Sequence, residues 1–125
     1  MFNPKQFYEK GKLNSGTFVS VWDTTKTGVS ASNQIKLPLV SGFPYRVDWG
    51  DGVTNIINST SDSNLTHTYS VSGIYTVKIL NVVRGFVFNN GGDRLKLKEI
   101  LNWGNFAINT SAFYGCSNLI LSNVK

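Results

Sequence analysis

Tyr45-Arg46-Val47-Asp48-Trp49, then Gly50-Asp51-Gly52, then Val53-Thr54-Asn55-Ile56-Ile57, is the stretch on which the reading of the fold turns. Tyr45, Val47 and Trp49 alternate with Arg46 and Asp48, the period of a strand with one face in a core and one in water. Gly-Asp-Gly then breaks the chain. Glycine supplies positive φ without steric cost, and an aspartate in a turn accepts hydrogen bonds from backbone amides just ahead of it. The segment reads as a strand, a tight turn and a second strand, with Trp49 as the main core aromatic, burying on the order of 200 Å².

Strand candidates extend outward from this hairpin at short intervals. Thr17–Trp22 precedes it, followed by Gln34–Leu39 with Ile35, Leu37 and Leu39 on one face and Gln34, Lys36 and Pro38 on the other. Pro38 lacks a ladder donor, which predicts an edge position or a bulge there. After the polar loop Asn58–Asn64 come Leu65–Tyr69, a turn at Ser70–Gly73, Ile74–Leu80 and Val83–Phe88. Short strands with a turn signal every 8–12 residues or so predict an all-β sandwich, and no segment sustains a helical period. Hydrophobic residues make up 41% of the 125 positions and charged residues 15%, which excludes a disordered chain. No run approaches the roughly 20 apolar residues of a membrane helix. Cys116 is the only cysteine, so no intramolecular disulfide forms.

The same residues argue against catalysis. His67 is the only histidine, and one His with one distant Cys makes neither a nucleophile–base pair nor a three-ligand metal site. No catalytic residue and no cofactor are assigned. Asp48 and Asp51 are the calcium candidates, but calcium takes about six to eight oxygens, and these two, with Asp62 and Asp93 as possible neighbours, fall short of a cage. Capping of the turn by Asp51 is the preferred reading. Asn89–Asp93 lacks the lysine and following helix of a phosphate loop. The sequons at Asn58, Asn64 and Asn109 are expected by chance in so Asn/Ser/Thr-rich a chain, and Trp22 and Trp103 are read as core rather than sugar-stacking side chains. Net charge is +5, densest where Arg94, Lys96 and Lys98 alternate with Leu95 and Leu97. On a strand that spacing puts three cations on one face, read as a solvated face in preference to a nucleic-acid or acidic-glycan patch.

V-D-W-G-D-G at Val47–Gly52, H-T-Y at His67–Tyr69 and G-I-Y-T-V at Gly73–Val77, in that order, resemble the PKD (polycystic kidney disease) domain over roughly residues 17–88. The resemblance implies an immunoglobulin-like sandwich used in extracellular adhesion, in glycan or protein contacts, or as a spacer. Trp49, Gly50, Asp51, Gly52, His67, Tyr69, Gly73 and Tyr75 are then its structural motif. It also implies a hydrogen bond between His67 and the W-G-D-G turn. Tyr75 stands at the tyrosine corner of such sandwiches, where its hydroxyl bonds backbone upstream. A-F-Y-G-C-S-N-L at Ala112–Leu119 looks like the repeat unit of BspA-like leucine-rich repeats of bacterial surface proteins. W-D-T-T-K-T-G at Trp22–Gly28 is similar to the opening of sandwich domains that accompany such repeats. Apolar positions at Leu95, Leu97, Ile100, Trp103, Phe106, Ile108, Phe113, Leu119 and Leu121 have the spacing of one solenoid turn, with Cys116 a small buried apolar residue. A single turn does not bury its own apolar face. The tail is therefore expected either to pack back on the sandwich or to dock on another subunit.

These readings divide the chain into an N-terminal arm (1–16), a PKD-like sandwich (17–88) and a partial repeat-like tail (89–125). Residues 1–16 hold no apolar run of signal-peptide length, so the expectation is synthesis in the cytoplasm without export. Extracellular modules without an export route point to a tailed-bacteriophage virion protein, a capsid decoration or head-fibre component. The arm, with Phe2, Phe7 and Tyr8, is expected to hold it to the particle, Phe113 and Tyr114 to contact partners, and Asn58–Asn64 to face outward. Expected partners are other virion or surface proteins in a symmetric assembly, with a host glycan as a further candidate, no specific nucleic acid and no membrane span. The alternative is a bacterial cell-surface adhesin fragment or a glycan-binding accessory module.

Overall fold

A computed structural model of the chain describes residues 16–121. Among them there is no α-helix, and the elements are nine strands and one 3-10 turn (Ser63–Leu65). The strands are β1 (Phe18–Asp23), β2 (Gln34–Lys36), β3 (Leu39–Ser41), β4 (Tyr45–Asp48), β5 (Thr54–Ile57), β6 (Thr66–Thr68), β7 (Ile74–Ile79), β8 (Gly85–Phe86) and β9 (Leu97–Asn102). They form an antiparallel five-stranded sheet ordered β5-β4-β7-β1-β9 and two antiparallel ribbons, β2-β6 and β3-β8. The layers make a sandwich-like, all-β fold, as the alternating sequence predicts. Phe18, Trp22, Tyr45, Val47, Trp49, Val77 and Ile79 of the large sheet and the turn beside it share one core with Ile35, Leu37, Leu39 and Phe86 of the ribbon side.

Pro38 sits where one expected strand becomes two. Ile35, Leu37 and Leu39 are all buried, as their alternation predicts. The backbone, however, changes partner: Leu37 N–H donates to the Leu65 carbonyl (3.0 Å), and the Pro38 carbonyl accepts from Val87 N–H (2.8 Å). A residue without an N–H is well placed at the handover, where no ladder donor is needed. Val83–Phe88 shortens to β8, because Phe88, Asn89 and Asn90 give their N–H groups to carbonyls of the tail, those of Ala112, Ser111 and Tyr114.

The expected cationic strand face at Arg94–Lys98 does not form. Arg94, Leu95 and Lys96 lie in consecutive turns, where the period of two does not hold, and Lys96 is fully buried. The strand begins at Leu97 and completes the large sheet beside β1, placing Leu97 and Ile100 in the core. Beyond it the chain loops through half-buried Trp103, Phe106, Phe113, Cys116 and Leu119, which pack against that core. It returns at Ile120 to bridge Glu99 in parallel, with Ile120 N–H donating to the Lys98 carbonyl (2.9 Å). No helix of the described residues is long and apolar enough to cross a membrane.

Candidate functional site

The Gly-Asp-Gly turn is the best-knit polar assembly on the large sheet. Trp49 is fully buried, its backbone N–H closes the turn on the Val53 carbonyl (3.0 Å), and its indole N–H donates to Asn55 Oδ1 (2.9 Å). Gly50 has φ +86°, and a Cβ there would run into the Thr76 carbonyl oxygen, so the position requires glycine twice over. Gly52 has φ +92° and open space around it. Asp48 Oδ1 accepts from Gly50 N–H (3.0 Å) and Asp51 Oδ1 from Val53 N–H (3.2 Å). Asp51 Oδ2 lies 2.8 Å from His67 Nε2, which is the hydrogen bond that the resemblance implied. The His67 ring stacks on Trp49 (centroids 4.8 Å apart, planes 12° apart) and meets Tyr69 edge-on. Tyr69 donates its hydroxyl to the Trp49 carbonyl (2.7 Å) and stacks on Tyr75 (3.8 Å). Tyr75 donates to the Val71 carbonyl (2.6 Å), and Gly73 N–H to Thr24 Oγ1 (2.9 Å). Burial pushes the Tyr69 phenol far above its ordinary range, so the hydroxyl remains a donor.

The calcium candidates take part in this network. One oxygen of Asp48 and both of Asp51 are engaged by the turn amides and His67. Asp62 accepts from Asn58 and Asn64 N–H groups, and Asp93 is engaged elsewhere. Among the described residues, no three of His, Cys, Asp and Glu come together as ligands for a metal.

The second polar assembly was invisible to the sequence reading. Asp93 is buried, with Oδ1 accepting from Val29 N–H (2.8 Å) and Ser30 N–H (3.1 Å), and Oδ2 from the Ser30 hydroxyl (2.5 Å) and Lys36 N–H (2.7 Å). Lys96 Nζ donates to Ser30 Oγ (2.9 Å) and to the carbonyls of Ala31 (2.7 Å) and Gln34 (2.8 Å). The two charges meet through the Ser30 hydroxyl and clasp the 28–36 loop. Burial lowers the Lys96 pKa, with Asp93 and then Asp23 opposing that shift. The one signal available was N-N-G-G at Asn89–Gly92, a turn cluster that delays the strand and so voids the alternation read across Arg94–Lys98.

The partner-contact candidates divide. Phe113 is half-buried among Phe86 (5.5 Å), Phe106 (5.5 Å) and Trp103 (5.7 Å). Tyr114 is 59% exposed. Phe2, Phe7 and Tyr8 lie outside the described residues. Burial raises the Cys116 thiol pKa to about 12, only slightly opposed by Arg94. Trp22 is buried, its indole N–H on Ser20 Oγ (2.8 Å), and Trp103 packs against Phe18 and Phe106.

Fold and contacts together define a small all-β module whose buried polar side chains hold turns and loops in place. The chain matches no protein-family model, no curated protein and no solved structure.

Proposed function

We propose that this is a non-catalytic structural and binding module of a tailed-bacteriophage virion, a capsid decoration or head-fibre component displaying an immunoglobulin-like sandwich. The observation that carries the docking part of this reading is where the exposed large apolar side chains lie. Leu101 (47%), Ile108 (72%), Tyr114 (59%), Ile120 (52%) and Leu121 (50%), five of twelve, fall on the C-terminal segment. Exposed apolar side chains are the material of protein contacts. In the hairpin, Asp48 and Asp51 are engaged by turn amides and by His67, which suits a display scaffold better than a reaction site. The likeness of the Trp49–His67–Tyr75 residues to PKD domains supports a setting outside the cell. That likeness is shared by the alternative, a bacterial surface adhesin.

Immunogold labelling with an antibody to the sandwich separates the two settings. Gold on particles that sediment from lysates of producing cells is the expected result. Label confined to the cell envelope favours the adhesin, and label only in the soluble fraction refutes both. Introducing charge at the docking segment (Ile108→Lys with Tyr114→Asp) should abolish particle association while leaving the tryptophan fluorescence of the fold unchanged.

A further inference from the structure

A polar pocket of about 240 Å³ opens beside the loop clasp, lined by Asp23, Lys26, Leu95, Lys96, Lys98 and Asn118. Part of its wall is held by hydrogen bonds. Asp23 N–H donates to the Lys96 carbonyl (2.8 Å) and Thr24 N–H to the Gly73 carbonyl (2.9 Å). Lys96 is locked by the 28–36 loop. Asn118 Nδ2–H donates to the Leu95 carbonyl (2.9 Å), which leaves its Oδ1 as an acceptor. Asp23 Oδ1 is taken by the Thr25 amide (3.0 Å) and hydroxyl (2.6 Å), which leaves Oδ2. Lys26 and Lys98 have no carboxylate within salt-bridge distance among the described residues. Hydrogen bonding from the Thr25 hydroxyl and then its amide, with the positive field of Lys26 and Lys98, keeps Asp23 ionised below its ordinary range.

We infer that this pocket binds one acidic sugar unit of a glycan, its carboxylate between Lys26 and Lys98 and its ring hydroxyls on Asp23 and Asn118. The composition selects this ligand by elimination. A free anion such as sulfate, or the carboxylate side chain of an acidic peptide, pairs with the two lysines but brings no hydroxyl donors for Asp23 Oδ2 and Asn118 Oδ1. A neutral sugar satisfies Asp23 and Asn118 but leaves two unpaired cations without a partner. A uronic or sialic acid presents an anion and hydroxyl donors from one rigid ring and meets both demands. Leu95 supplies an apolar wall for the ring face. The volume lies below the roughly 300–1,000 Å³ of sites that enclose drug-sized ligands, as a site for a single ring should. Asp23, Lys96 and Asn118 are held by hydrogen bonds, so the ordering that opposes binding falls mainly on Lys26 and Lys98. Binding here requires neither a particle nor a second protein, so its failure would leave the virion reading untouched.

The test is a nitrogen–proton correlation spectrum of the full chain titrated with oligosaccharides ending in glucuronate, galacturonate or sialate. A neutral glucose oligosaccharide and a glutamate-rich peptide serve as comparisons. At least one acidic sugar should shift the Asp23, Lys26, Lys98 and Asn118 signals saturably. Binding should weaken about tenfold in Lys26→Ala or Lys98→Ala, as expected for loss of a charge-assisted hydrogen bond. Asp23→Asn should weaken the sugar but not the peptide. Signals away from the pocket report whether each variant is folded. The inference falls if no acidic sugar shifts these signals at roughly 10 mM, where even a millimolar site is filled. It also falls if the neutral sugar or the peptide binds as well as the acidic sugars, or if Asp23→Asn leaves sugar binding unchanged.

Discussion

Replacing Lys96 by methionine keeps the apolar stem and removes the ammonium. Ser30 Oγ and the carbonyls of Ala31, Gln34 and Ser30 then lose the ammonium, which donates to them at 2.9, 2.7, 2.8 and 3.4 Å in the native fold, although the Ala31 carbonyl keeps the Gln34 N–H (3.0 Å) and the Gln34 carbonyl has the Ser30 hydroxyl within reach (3.1 Å). Asp93, buried and bridged to Lys96 through the Ser30 hydroxyl, also loses its countercharge. Breaking one side of a buried charge assembly typically costs about 3–5 kcal/mol. A loss of about 3–5 kcal/mol is a large share of the roughly 5–15 kcal/mol that holds a small domain together. Urea unfolding followed by tryptophan fluorescence reads it directly. With a slope near 2 kcal/mol per molar, the midpoint should fall by about 1.5–2.5 M. Lys36→Met, whose side chain is exposed, should stay within about 0.5 kcal/mol of wild type. Combining Asp93→Asn with Lys96→Met should cost less than the sum of the two changes, because each removes the reason the other charge is tolerated. A Lys96→Met cost below about 1 kcal/mol, or strict additivity with Asp93→Asn, would refute the clasp.

Gly50→Ala should cost at least about 2 kcal/mol, since it pays for a left-handed backbone and also meets the Thr76 carbonyl. Gly52→Ala, with nothing near its Cβ, should cost only about 1–2 kcal/mol, and a reversed order in chemical denaturation would contradict the turn geometry. Tyr69→Phe should cost about 1–3 kcal/mol by orphaning the buried Trp49 carbonyl, while Tyr75→Phe, whose bond to Val71 is exposed, should cost about 1 kcal/mol or less. Backbone hydrogen bonds from Asn58 and then Asn64 hold the Asp62 carboxyl below its ordinary 3.8. Its contribution is therefore present above that pH and lost as pH falls through the lower folded value, so Asp62→Asn should flatten the acid limb of a stability profile run from about pH 5 to about pH 2. Cys116, with its thiol pKa raised to about 12 by burial, should resist an aromatic disulfide reagent at about pH 8 until urea unfolds the chain.

Much of this architecture was legible in the sequence because alternation is a local property. Tyr45, Val47 and Trp49 read as inward and are inward; Ile35, Leu37 and Leu39 keep their shared face even across a broken backbone ladder. Turn chemistry was legible for the same reason: Asp51 Oδ1 and the Gly50 φ belong to the turn itself. What failed was non-local or misphased. Lys96 was read in phase with a strand that starts one residue later, at Leu97. Its acceptors come from residues 62–66 positions away, a separation that composition and periodicity do not encode. The half-buried Phe113 belongs to the same class. Its residue type does not distinguish a docking aromatic from one that caps the cluster of Phe86, Phe106 and Trp103.

The clasp explains why the last third of the described chain is not an appendage. β1 carries Phe18 and Trp22 into the core, and of its two neighbours one, β9, comes from that last third. Without β9, one side of the strand bearing two core aromatics would be a bare edge, an open template for pairing with another chain. Asp93 and Lys96 reach back to the 28–36 loop from the turn that feeds β9, and carbonyls at 111–114 satisfy the N–H groups of Phe88–Asn90. Each connection runs from late sequence to early sequence, so the early strands acquire a paired edge and an ordered loop only when the late segment is in place. A stacked repeat adds its stability to its neighbours'. Here the late segment instead completes hydrogen bonds that the earlier residues lack, so the two parts must fold as one cooperative unit.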